Sequence, residues 1–142
     1  KIWSARWGSV SDDVALAIAA STIDNTIYVT GYTLGSIDGV TNLGYNDIFL
    51  TKWSSAGVRL WIQMWGSAED DKGMGVAVST TNFLYVSGIA GGSFDGQPFA
   101  GIDDAFLTKL DSNGTRIWSR ISGTADFDDF RGVAVSSDED AV

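Results

Sequence analysis

The sequence of 142 residues contains no cysteine, no histidine and a single proline. Without cysteine there are no disulfides, no thiolate metal sites and no thiol nucleophile. Without histidine the chain lacks the side chain most often used as a general base and as a transition-metal ligand. Basic residues are scarce: 9 Lys and Arg stand against 18 Asp and Glu, a formal net charge of −9. Phosphate backbones and anionic membrane surfaces attract basic proteins, so neither nucleic acid nor membrane insertion is expected. No apolar run approaches the ~20 residues that a membrane-spanning helix needs. The remaining composition, 19% charged and 44% hydrophobic, is that of a folded chain and not of a disordered one.

What the sequence has in quantity is glycine (17), tryptophan (6) and copies of itself. GYNDIFLTKWSSAGVRLW, residues 44–61, returns as GIDDAFLTKLDSNGTRIW, residues 101–118, with 10 of 18 positions identical. Trp3, Trp61 and Trp118 align at a spacing of 57 to 58 residues. So do Gly8, Gly66 and Gly123, then Ser9, Ser67 and Thr124, then Asp13, Asp71 and Asp128. AIAAS, VAVS and VAVS end at Ser21, Ser79 and Ser136; IYVTG matches LYVSG, and GSIDG matches GSFDG. A fixed period of this size marks stacked supersecondary units.

Each unit carries four short runs rich in β-branched and aromatic residues, bounded by turn signals such as TTN, GGSFDG, SSAG and DSNG. DIFLTKW presents Phe49, Thr51 and Trp53 to one face and Ile48, Leu50 and Lys52 to the other, so both faces carry apolar residues. A sheet apolar on both faces must be covered on both, and identical four-stranded sheets stacked about an axis cover one another. The expected fold is therefore all-β: β-propeller blades, each a four-stranded antiparallel sheet. DDVALAIAAS has a superficial helical look, but its copies DKGMGVAVS and DFRGVAVS read as strands.

The unit W…G(S/T)…DD…(V/I)AVS…YV(T/S)G…GS(F/I)DG…G.(D/N)D.FLTK…G..(L/I)W resembles the SBBP-type bacterial β-propeller repeat over essentially the whole chain. The resemblance implies a propeller, usually within large secreted or surface proteins, and implies no catalytic residues. The expected organisation of residues 1–142 is a partial propeller. Residues 1–8 would be the outer strand of a preceding blade, 9–66 and 67–123 two complete blades, and 124–142 the inner strand of a next blade, with the strand itself at 131–136. The sequence does not begin with Met. The expectation is an excerpt of a longer multi-blade chain, or a piece stabilised by neighbours in an assembly.

Candidate functional residues each have a structural competitor. Trp3, Trp61 and Trp118 recur in every unit, which suits packing better than binding. Trp7, Trp53 and Trp65 are less regular and are the candidates for an exposed contact, again set against packing. Lys52 and Lys109, repeated mid-strand, read as half-buried ion pairs with Asp47 and Asp104 or with Asp13 and Asp71, not as catalytic lysines. Hard cations take six to eight oxygens, so Asp38, Asp95, Asp103 and Asp104 are the calcium candidates, and calcium is the one cofactor considered. The competing account is turn chemistry, since Asp caps its own backbone and tolerates left-handed geometry. Asn113-Gly114-Thr115 is a glycosylation sequon and also an Asn-Gly turn. Ligands and partners are best sought where the repeats differ, which points to Tyr45, Gln97, Pro98 and Phe99 as contact candidates.

The expected function is a non-catalytic structural or adhesive module of an extracellular or cell-surface protein or assembly. It would work through protein–protein contacts with further blades of the same longer chain or with neighbouring subunits. The alternative is a ligand-binding propeller, lectin-like with a glycan ligand or calcium-dependent. The expected location is secreted or at the cell surface.

Overall fold

The computed structural model describes residues 2–136. It contains eight strands and, among the described residues, no helix. The first repeat supplies β1 (Asp13–Ala20), β2 (Thr26–Thr33), β3 (Asp47–Ser54) and β4 (Arg59–Trp65). The second supplies β5 (Lys72–Val78), β6 (Leu84–Ala90), β7 (Asp104–Leu110) and β8 (Arg116–Ser122). Each set pairs in chain order as a four-stranded antiparallel sheet, β1-β2-β3-β4 and β5-β6-β7-β8.

The sheets are copies down to their irregularities. A bulge falls between Ala15 and Ala17 in β1 and between Gly73 and Gly75 in β5. A second register shift falls after Lys52 and, correspondingly, after Lys109. Between β2 and β3, Asp38 and Gly39 both have positive φ, at 50° and 83°; Asp95 and Gly96 repeat this between β6 and β7, at 50° and 69°. Two consecutive left-handed residues make the mirror-image turn that closes a tight hairpin, which is why Asp-Gly stands there in both units.

Cross-strand partners share a face of a sheet. Tyr28 opposes Lys52, Thr30 opposes Leu50, and Tyr32 opposes Ile48, so these six define one face of the first sheet. The second sheet packs on that face through β5, which runs against β1, β2 and β3. The resulting core joins Tyr28, Ile48, Leu50 and Trp65 of the first sheet to Val76, Leu84, Val86, Phe106, Leu110 and Ile121 of the second. A smaller cluster of Ile37, Phe49 and Met64, with Trp7, Val29 and Ile62 against it, lies on the opposite face of the first sheet.

The two flanking segments differ from expectation. Residues 2–8 and 131–136 form no strand; Val135 makes only an isolated bridge. A strand needs a ladder of backbone partners, and none of the described strands offers these segments one. They nevertheless run along the sheets. Trp7 meets Phe49 edge-on at 4.9 Å between ring centroids. Gly132 lies against Gly75, where a Cβ would stand 2.8 Å from its Cα. Lys1 and residues 137–142, the ends of the two expected flanking units, lie outside the described residues.

Candidate functional site

The most elaborate chemistry of the chain lies at the joint between the sheets, and three motifs build it. In the first, a carboxylate organises the turn that enters each unit. Asp71 Oδ2 accepts the backbone N–H of Ser67 at 2.5 Å and its hydroxyl at 2.8 Å. Asp13 does the same for Ser9, at 2.6 and 3.1 Å, and Asp128 for Thr124, at 2.6 and 2.9 Å. The backbone then docks on the preceding unit: Asp71 N–H donates to Asn46 O at 2.7 Å, and Asp128 N–H to Asp103 O at 2.8 Å. Residues 124–128 therefore attach to the second sheet as residues 67–71 attach to the first.

The second motif seats tryptophan on glycine. A Cβ at Gly57 would lie 2.6 Å from the Trp3 ring, and one at Gly114 would lie 3.3 Å from the Trp61 ring. Both glycines have φ above 80° in the turns between the third and fourth strands of their units. Glycine thus satisfies two demands at once, left-handed backbone and room for an indole. Trp3 also donates its Nε1–H to Ser55 O at 2.9 Å. The third motif places an arginine over a tryptophan and pairs it with the hairpin Asp. Arg116 lies 5.6 Å over the Trp65 ring and is held by Asp95, with both contacts at 3.0 Å. Arg59 lies 5.5 Å over the Trp7 ring and pairs with Asp38.

Trp53 and Trp65 are buried and Trp7 is half-buried, so none of the three offers an exposed contact. The lysine partners differ from those expected. Lys52 Nζ bonds Asp24 Oδ2 at 2.9 Å and, across the joint, Ser112 O at 3.2 Å, with the Tyr28 ring 5.3 Å below. Burial pushes the Asp24 carboxyl up, but hydrogen bonds from Thr26, Lys52, Asn82 and Ser21 outweigh it and hold Asp24 well below the usual carboxylate range. Burial lowers the Lys52 ammonium, and Tyr28 and Asp24 more than reverse that. Lys109 sits instead over Phe83 at 4.2 Å and Tyr85 at 5.3 Å. Its unit lacks the residue that Asp24 adds to the first turn, and that one-residue difference in turn length was the signal available in the sequence.

The calcium candidates do not converge. Asp38 and Asp95 each serve a turn and an arginine. Asp104 accepts the Ala100 N–H at 2.7 Å, and burial raises the Asp103 carboxyl, partly offset by Lys72. Among the described residues no three acidic side chains are grouped to hold a metal ion. Tyr45 and Pro98 are exposed, and Gln97 and Phe99 half-buried, all on the loops between the second and third strands. Asn113 is exposed in the turn closed by Gly114 N–H to Asp111 O at 3.0 Å.

A different pair of carboxylates does converge. Asp47 and Asp71 are both buried and meet across Gly66, where a Cβ would lie 2.6 Å from Asp47 Oδ1 and 2.7 Å from Asp71 Oδ2. Burial, and then the Asp47 charge, push the Asp71 carboxyl up to about 6 against hydrogen bonds from Ser67 and Gly91; burial also raises Asp47. No protein-family model matches this chain, and no curated protein matches it either.

Proposed function

We propose that this chain is a run of β-propeller blades of the SBBP type whose role is structural or adhesive and non-catalytic. It works by stacking repeat on repeat, within a longer chain or between neighbouring subunits, in a secreted or surface-exposed protein. The observation that carries this is the copied docking contact: the Ser67–Asp71 turn on the first sheet is repeated by the Thr124–Asp128 turn on the second. A module whose attachment chemistry recurs unit by unit is suited to building a stack. Its recurrent tryptophans, arginines and carboxylates are taken up by that attachment.

Two measurements test it. Inserting one further copy of residues 67–123 after Gly123 should raise the unfolding midpoint and steepen the denaturant dependence as more surface is buried. An added copy that unfolds separately counts against stacking. Melting with and without millimolar Ca²⁺, together with a glycan-array screen, should show no shift and no binding. A Ca²⁺-dependent stabilisation or a specific glycan hit would replace the scaffold role with a ligand-binding one.

A further inference from the structure

One feature of the joint is unnecessary for stacking. Asp47 and Asp71 are each 0% exposed. Asp71 spends both oxygens on hydrogen bonds: Oδ2 on Ser67, and Oδ1 on the Gly91 N–H at 3.1 Å. Asp47 Oδ2 accepts the Leu43 N–H, but Asp47 Oδ1 has no protein partner and faces the other carboxylate across Gly66. The same vacancy recurs one unit on. Asp104 is 1% exposed, its Oδ1 is also without a partner, and it is pressed against Gly123.

The charged groups nearby do not neutralise the pair. Asp70 is bonded through Asn46 Nδ2 at 2.6 Å, and Asp103 lies close enough to Asp70 for each to feel the other's charge. Asp13 opposes Thr33, the same β2 residue that pairs with Asp47 on its other side. The nearest basic residue in sequence, Lys72, has its Nζ 5.4 Å over the Tyr32 ring, and among the described residues no Lys or Arg forms an ion pair with Asp47 or Asp71. Two ionised carboxylates buried together cannot both persist cheaply.

We propose that Asp47 and Asp71 share a single proton across the joint, and that losing it weakens the packing of the second sheet on the first. The proton removes one of the two negative charges buried on either side of Gly66, where Asp47 Oδ1 has no other protein partner to offset its charge. The proton belongs to the pair and not to either residue. A pair that holds a proton more tightly folded than unfolded stabilises the fold fully below the ordinary Asp range, and that contribution is lost as pH rises through about 6. The joint is thus an acid-favoured clasp.

The test is urea unfolding of the 142-residue chain from pH 4.5 to 8 in chelator-containing buffer, with side-chain carboxyl NMR of the folded protein over the same range. The expected result is an unfolding constant that rises about tenfold in total between pH 5 and 7, most steeply below pH 6 and levelling off above it, with one coupled carboxyl titration near 6. Asp47→Asn, which removes one of the two buried charges at every pH, should flatten that dependence and be at least as stable as the parent at pH 7.5. Three results overturn the proposal: a flat profile in the parent, no carboxyl titrating above 5, or stabilisation at pH 7.5 by Ca²⁺, which would make the bound cation a metal. The NMR titration decides the matter even if Asp47→Asn does not fold.

Discussion

The two sheets are near-copies in sequence and in register, yet equivalent residues live in different environments. Ile18 of β1 is 69% exposed, whereas Val76 at the matching position of β5 is 8% exposed. Val29 is half-buried and Val86 fully buried. The difference is positional: this face of the second sheet rests on the first sheet, and among the described residues the same face of the first sheet is covered by residues 2–8 and the neighbouring hairpin. A second contrast is chemical. Lys52 reaches an acid and a carbonyl across the joint, whereas Lys109 has aromatic rings beneath it. Burial and pairing in a repeat protein are thus properties of the stack as much as of the unit.

The largest expected effect breaks the first contrast. Leu50→Ala, at the centre of the joint, should cost about 2–5 kcal/mol in urea unfolding, because it removes packing and leaves a cavity. Ile18→Ala, on the open face, should fall within about 0.5 kcal/mol of the parent. Equal costs would mean that the open face is covered in solution, and sedimentation against concentration would then show by what.

A middle-sized effect sharpens the second contrast. Lys52→Met should cost about 1–2 kcal/mol at pH 7, since it strips a charge-assisted bond from Asp24 and another from Ser112. Lys109→Met should be near neutral. The Lys52 difference carries its own pH sign. Asp24 titrates below the ordinary carboxylate range when folded, so this contribution is present above that range and shrinks as pH falls through and below it. Unfolding of both variants at pH 3 and pH 7 reads this directly. The sense is opposite to that of the Asp47–Asp71 pair.

The smallest effect compares the two arginine lids. Arg116→Ala uncovers the buried Trp65 ring and releases Asp95, a loss of about 1 kcal/mol. Arg59→Ala acts at Trp7, which belongs to a segment without ladder bonds, and should lose less. Tryptophan fluorescence with salt titration would report both, and a larger loss at Arg59 would mean that residues 2–8 are held more firmly than their backbone suggests.

Much of this was legible in the residues. The strand runs, the Asp-Gly hairpins and the double-sided apolar pattern are local signals, and all eight strands fall where those signals lie. The recurrence of Trp61 with Gly114 and of Asp71 with Ser67 was visible as aligned letters, though not as contacts. The partner of Lys52 left only a faint trace, the extra residue Asp24 in the first turn, because Asp24 and Lys52 are brought together by the register of β2 on β3. The flanking segments misled for a related reason: 131–136 has the letters of a strand, but a strand is a relation between two backbones.

The sequence by itself determined that the chain is a tandem β repeat, where its strands and turns fall, and that each sheet needs cover on both faces. Those properties depend on side-chain alternation and turn geometry over a few residues. Only the tertiary structure decided which face is covered, which tryptophans are shut in, and that Asp47 and Asp71 meet behind a glycine. These follow from how one sheet sits on the next, which brings together residues 24 positions apart in the chain. No local signal encodes that distance, because it is set by the packing of the whole joint.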